Sequence, residues 1–302
     1  HDLTAIPQVE SYRGFVFASL NADVPELKDH LGAAADIIDL LALQSPDGME
    51  VLRGSSTYHS RCNWKFQCEN GVDGYHVTSV HANYMSMVMR RMASGQDDKV
   101  KSIARGDITK MPSGAYDLGG GHMLLWGEVP GAETRPLNER RAEIESRLGA
   151  LRAKWMINHS RNLLLFPNVF LMDQTSTQIR VIRPLDIDRT AIDIYPIAPR
   201  GESDRARYQR LRQYEDFFNA SGMATPDDLT EFEACQTGTG GLRGTYQPLD
   251  RGLGRLHWGP DAPAQEAGYH PQTCGPNWAD ETLFHGFYRQ WNTLVSRARQ
   301  AP

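Results

Sequence analysis

Polar and apolar positions alternate most plainly in the middle of the chain. Gln178-Ile179-Arg180-Val181-Ile182-Arg183 alternates, and Thr190 to Ile197 does so again. A period of two predicts antiparallel strands, the first with one wet face and closed by Pro184. Apolar runs rich in β-formers predict further strands at Asn162 to Phe166, Val169 to Asp173 and His122 to Trp126. Residues 8 to 20 predict one or two strands broken at Gly14, and residues 50 to 60 another strand.

The helical period appears elsewhere. Leu27, Leu31, Ile37, Ile38, Leu40 and Leu41 form an apolar stripe after Pro25. Residues 136 to 158 predict one amphipathic helix with Glu139, Arg140, Arg141, Glu143, Glu145 and Arg147 outside. Residues 202 to 219 and Phe284 to Arg299 predict two more. At Thr225-Pro226-Asp227-Asp228 the pattern predicts a helix start, with Thr225 as N-cap and both acids in the first turn. Residues 93 to 121 are polar and end in Gly119-Gly120-Gly121, which predicts a mobile loop or lid. After 237 the chain turns glycine- and proline-rich and is expected to wrap the surface. The sum predicts an α+β fold, an antiparallel sheet flanked by helices.

With 302 residues the chain can bury one large core, with at most a small appendage. A net charge of −5 argues against nucleic-acid and anionic-membrane partners. No run of eighteen apolar residues and no signal peptide is visible; the opening His1-Asp2-Leu3 suggests a processed or truncated start. Cys62, Cys68, Cys235 and Cys274 have no metal-site spacing. They predict free thiols in a reducing cytoplasm.

Chemistry concentrates in Glu69-Asn70-Gly71-Val72-Asp73-Gly74-Tyr75-His76-Val77-Thr78-Ser79-Val80-His81, which follows Cys62-Asn63-Trp64-Lys65-Phe66. A helix starting near Asn63 is expected to carry it. Two imidazoles and a carboxylate suit a metal with open positions. A gap of five leaves His76 and His81 about 140° apart on an ideal helix. Either the helix ends or distorts between them, or they are not co-ligands. Asp73, three residues before His76, could accept an imidazole N–H and fix its tautomer, or could be a surface acid. Met85, Met87, Met89 and Met92 could line a pocket or fill ordinary core.

Asn63-Trp64-Lys65-Phe66-Gln67, Glu69-Asn70, Asp73-Gly74-Tyr75-His76 and His81 resemble the iron-site segment of Rieske-type aromatic-ring-hydroxylating dioxygenase large (alpha) subunits. Asp39 to Arg53, Asn162 to Gln174 and Gln213 to Gln236 resemble the benzoate, halobenzoate and anthranilate 1,2-dioxygenase branch. The resemblance implies a helix-grip, START-like catalytic domain over 21–302, with residues 1–20 the tail of an N-terminal Rieske domain. It implies a mononuclear Fe(II) on His76, His81 and Asp228, with Asp227 the register alternative. Asp73 would bridge to a neighbouring subunit's cluster and carry the electron path, and Asn70 would sit near the open side of the iron. The Cys-x-His and Cys-x2-His motifs of the [2Fe–2S] cluster do not occur here.

By the same resemblance the substrates are an aromatic carboxylate and O2, and the product a cis-diol or catechol. The implied partners are a small (beta) subunit and a reductase or ferredoxin fed by NADH, with a homotrimer of large subunits in an alpha3beta3 assembly. Arg90, Arg91 and Arg161 are candidates for the substrate carboxylate by neighbourhood only, and a surface or structural arginine is the favoured reading of each. Aromatic monohydroxylation on the same scaffold, a zinc hydrolase on the same ligands and a metal-free binding protein are the rival readings.

Overall fold

The computed structural model of the chain describes residues 3–95, 108–174, 176–241 and 246–300. The chain opens with a hairpin, β1 (Gln8–Tyr12) and β2 (Phe15–Ser19). Arg13 and Gly14, both at positive φ, make its two-residue turn. The stripe after Pro25 folds as two helices, α1 (Leu27–Leu31) and α2 (Ala34–Ala42), with Gly32 between them. Residues 50 to 60 likewise divide into β3 (Met49–Val51) and β4 (Ser56–Ser60). Next come α3 (Trp64–Asn70) and α4 (Ala82–Ala93), then β5 (Ser113–Gly119) and β6 (His122–Glu128).

The helix predicted at 136 to 158 is a 3-10 turn followed by α5 (Arg141–Leu148) and α6 (Ala150–Ile157). Gly149, at φ 87°, breaks it where the charge pattern runs on without interruption. Strands β7 (His159–Leu165), β8 (Val169–Asp173), β9 (Thr177–Asp186) and β10 (Arg189–Pro199) follow. Pro184 does not close β9: it pairs with Thr190 beside a register shift. Helix α7 (Asp204–Gln213) runs into a π turn at Tyr214–Phe218, then α8 (Thr225–Thr239). Short β11 (His257–Trp258), α9 (Ala262–Ala267) and β12 (Thr273–Gly275) precede α10 (Leu283–Gln300).

Among the described residues ten strands form one antiparallel sheet, in the order β11-β12-β5-β6-β7-β8-β9-β10-β3, with β4 also on β10. The α+β expectation holds. Strands β5 and β12 are the departures: residues 113–119 are a buried strand, where a lid was expected, and 273–275 extend the sheet, where surface wrapping was expected. The lid expectation for residues 96–107 lies outside the described residues.

Alternation along the strands sends side chains to two cores. Leu124, Leu163 and Leu171 face α2, α5 and α6 through Ile38, Ile144 and Met156. Met123, Leu164, Phe170 and Ile192 face α3 and α10 through Cys68, Phe284 and Phe287. So the predicted wet face of residues 177–183 is covered, as Gln178, Arg180 and Ile182 are all buried. Phe287 is fully buried and its ring meets Trp64 of α3 at 5.8 Å. That contact fixes α3 against the sheet on the face that carries the site. Burying such a ring is worth about 2–3 kcal/mol.

Candidate metal centre

Asn63 starts α3 as its cap, its side chain accepting from Lys65 N. The helix ends at Asn70, before Asp73 and both histidines, so they do not ride on it as expected. The reason is close packing. A Cβ on Gly71 would lie 2.3 Å from the Phe170 ring, and one on Gly74 would meet the Trp278 side chain and backbone. Asn162 Nδ2 donates to Gly71 O at 2.7 Å, and Gly74 N donates to Trp278 O at 3.0 Å. The chain is thus drawn off the helical path and against the sheet.

Asp73 restarts it. Its carboxylate accepts from Tyr75 N at 2.9 Å and His76 N at 3.0 Å, at the start of the 3-10 turn His76–Thr78. The same Oδ2 lies 3.0 Å from His76 Nδ1. His76 Nδ1 therefore holds the proton and Nε2 presents its lone pair. His81 stands one residue before α4, buried, with its ring 5.4 Å from that of Phe217.

Asp228 arrives on α8, which runs antiparallel to α3. Asn63 N donates to Gln236 Oε1 at 2.8 Å at one end of the pair, and Asn70 Nδ2 to Asp228 Oδ1 at 3.1 Å at the other. The seven residues of α3 span roughly 10 Å, which sets the separation of the two contacts. Arg61 and Glu233 add an ion pair at 2.7 Å. Thr225 is not the N-cap that the sequence predicts. It sits inside the first turn, with Ala224 before it, and its hydroxyl donates to Phe218 O at 3.0 Å.

The result is a triad of donors. His76 Nε2 and His81 Nε2 are 3.2 Å apart, and Asp228 Oδ1 lies 3.7 and 3.4 Å from them. Ligand bonds near 2.1 Å place adjacent donors about 3 Å apart, so the spacing fits a shared metal ion. Asp227 is not in the group; the acid beside the histidines is Asp228. Asn70 Nδ2 is also 3.2 Å from His76 Nε2, and Tyr58 and Gln67 hold the amide from behind.

Charge agrees with that use. Burial and the neighbouring His76 push the His81 pKa down to about 4, leaving a neutral imidazole free to ligate. Burial opposes a proton on His76, but the hydrogen bond it donates to Asp73 and the charges of Asp228 and Asp73 outweigh it and raise its pKa. Burial lifts Asp228 to about 6 against the pull of His76 and Arg180. Without a cation it is a costly anion. His81 Nδ1 is buried without a hydrogen-bond partner among the described residues.

A cavity of about 120 Å³ opens beside the triad, walled by His81, Met85, Phe217 and Trp278. Of the predicted pocket methionines, Met85 is in this wall. Arg90 and Arg91 are exposed on the last turn of α4 and do not line it. Arg161 is buried and bonded to Asp173 and to main-chain carbonyls. Sequence reading missed Arg135, which does line the cavity, and Arg251, which lies 3.9 Å over the Tyr75 ring and 3.9 Å from Asp73. Neither has a local motif to mark it.

The sequence profile described as "Ring hydroxylating alpha subunit (catalytic domain)" matches residues 49–297. The chain belongs to this family of ring-hydroxylating alpha subunits. It is 46% identical to the 2-halobenzoate 1,2-dioxygenase large subunit of Burkholderia cepacia over its whole length, and spans 64% of that protein. It is also 46% identical to the toluate 1,2-dioxygenase subunit alpha of Pseudomonas putida, covering 99% of this chain and 65% of the relative. The crystal structure of naphthalene 1,2-dioxygenase from Rhodococcus sp. bound to indole superposes with a TM-score of 0.77 at 21% identity, over 97% of this chain and 67% of that one. That likeness carries the fold of this alpha-subunit catalytic domain, and the fold alone.

Proposed function

We propose that this chain is the catalytic part of a ring-hydroxylating dioxygenase that adds both atoms of O2 to a monocyclic aromatic carboxylate. His76, His81 and Asp228 would hold one Fe(II). The observation that carries the reading is the meeting of three donors at 3.2–3.7 Å beside a cavity with Met85, Phe217 and Trp278 in its wall. Two imidazoles and one carboxylate leave positions open, as iron oxygenases need. A dry cavity of about 150 Å³ accepts benzene, so about 120 Å³ fits one ring better than two fused ones. The halobenzoate and toluate relatives favour an aromatic acid.

Iron bound there would supply the activation of O2 and its transfer to adjacent ring carbons. The chain's own residues do the rest. Asp73 holds the Nδ1 proton of His76, so Nε2 stays aimed at the triad. Phe217 and Trp278 wall the ring and exclude water, which strengthens the polar interactions inside. Asn70 holds Asp228 in place through Nδ2. Electrons would come from a [2Fe–2S] cluster for which this chain has no ligand motif, carried on an N-terminal domain whose tail is residues 1–20. Residues 21–302 would then form the iron domain. Asp73, whose side chain is partly exposed, would receive those electrons from a neighbouring large subunit. A homotrimer with small subunits, and a cytoplasmic NADH-dependent reductase or ferredoxin, complete this reading.

The test is turnover of benzoate, toluate and 2-halobenzoate under ¹⁸O2 by the full-length enzyme with its reductase. Two labelled oxygens in the diol or catechol are expected. One labelled oxygen would make the enzyme a monohydroxylase.

A further inference from the structure

The cavity has a charged wall that the iron site does not explain. Pro136 forces Arg135 into extended backbone (φ −67°, ψ 143°) after the tight turn that Gly131 begins at φ 72°. The side chain therefore turns inward, beneath the start of β7, and is only 7% exposed. Nη1 donates to Ile157 O and His159 O, both at 2.8 Å; Nη2 donates to Gln174 O and to Asp173 Oδ1, both at 3.1 Å. Nε–H has no hydrogen-bond partner among the described residues.

Asp173 cannot balance this cation. It also takes Arg161 Nη2, Gln44 Nε2 at 2.7 Å and Thr177 Oγ1 at 3.3 Å. Two buried guanidinium groups thus share one carboxylate. The nearby Arg210 has Glu202, at 2.9 Å, which it shares with Arg207, and Arg207 also has Glu50. Glu128 lines the cavity too, but its carboxylate is with Lys154 at 3.4 Å. One positive charge is left over at a buried wall. Burial, with Arg161 and Arg210, draws the Arg135 pKa down to about 10 despite Asp173, so it stays charged at neutral pH. Buried charge needs a partner. Gln174 and Gln213 line the same cavity, and their side-chain amides make no hydrogen bond among the described residues.

We propose that Arg135, through its free Nε–H, is the seat of the substrate carboxylate, with the amides of Gln174 and Gln213 as further donors. The inference rests on the aromatic-acid reading above and names the residue that selects the acid. A charged hydrogen bond of this kind separates an acid from its uncharged isostere by about 30-fold.

The experiment measures binding of benzoate and of benzamide to the anaerobic, iron-loaded full-length protein by calorimetry. Wild type should prefer benzoate by about 30-fold, Arg135→Lys by less, and Arg135→Gln by under about threefold with benzamide affinity kept. Discrimination retained in folded Arg135→Gln would overturn the assignment. So would equal binding of the two ligands to wild type, while leaving the ring site intact. Binding of neither ligand would bring down the aromatic-acid reading itself. Should Arg135→Gln fail to fold, the wild-type complex with 2-bromobenzoate decides. Its carboxylate lies against Arg135 Nε, or the assignment is wrong.

Discussion

The triad and the arginine corner are built in opposite ways. Asn70, Asp73, His76 and His81 come from one tight turn, completed by a single distant acid, Asp228. Arg135, Arg161, Asp173 and Arg210 come from four separate segments: the first two arginines hold Asp173 directly, and Arg210 joins through Thr177. The turn carries costs: a buried acid raised to about 6 and an unpartnered His81 Nδ1. Arg135 and Arg161 spend most of their donors on main-chain carbonyls at the end of α6 and the start of β7, and on Asp173. A site made for a ligand is strained without it, whereas a corner that ties strands together serves the fold first.

That contrast can be broken at either end. The largest effect is expected from His81→Ala. Turnover should fall by at least about a thousandfold because the metal is lost, while the melting temperature of the apoprotein stays within a few degrees. Arg161→Met should do the reverse to stability, costing about 1–3 kcal/mol by urea unfolding, since it leaves the buried carbonyls of Met156 and His159 short of a donor while Arg135 still pairs Asp173. If His81→Ala unfolds the protein and Arg161→Met does not, the contrast is wrong.

Asp73→Asn sharpens it next. The amide cannot accept from both main-chain N–H groups and hold the His76 proton as a carboxylate does, so metal affinity should drop about 10–100-fold in chelator competition. Asp228→Asn should lose the metal yet stabilise the apoprotein by roughly 2 kcal/mol at pH 7, because a buried acid raised to about 6 pays to ionise there. An apoprotein no more stable than wild type would show that Asp228 is not burdened by burial.

The smallest effect is in pH. Burial, then Arg161, draws His159 in the corner down to about 3, as burial and His76 draw His81 to about 4. Both are neutral when folded and protonate near 6.5 when unfolded, so their stability is complete above 6.5 and lost as pH falls toward 4. Between pH 7 and 5 each should cost about 1–2 kcal/mol. His159→Gln should shrink that loss in urea titrations at the two pH values.

The turn was legible because its chemistry lies within twelve residues, and because strands such as Gln178 to Arg183 alternate. Its geometry was not legible: the helix had to end at Asn70, and the cause is the Phe170 and Trp278 rings, far along the chain. Strand β5 was hidden because Ser113-Gly114-Ala115-Tyr116-Asp117-Leu118-Gly119 is buried on both faces, with Asp117 paired to Arg289 at 2.9 Å. No period-two signal survives such burial. Arg135 was hidden for a similar reason. Only the fold brings it to the cavity, whereas Arg90 and Arg91 were close in sequence to His81 and turned outward.

The central claim is the three-ligand iron. Metal content of the anaerobically purified full-length protein, wild type beside His76→Ala and Asp228→Ala, tests it most directly. The account predicts about one mononuclear iron per chain beyond any cluster iron, absent from both variants. Iron kept in both variants, or stoichiometric zinc in wild type, would contradict it.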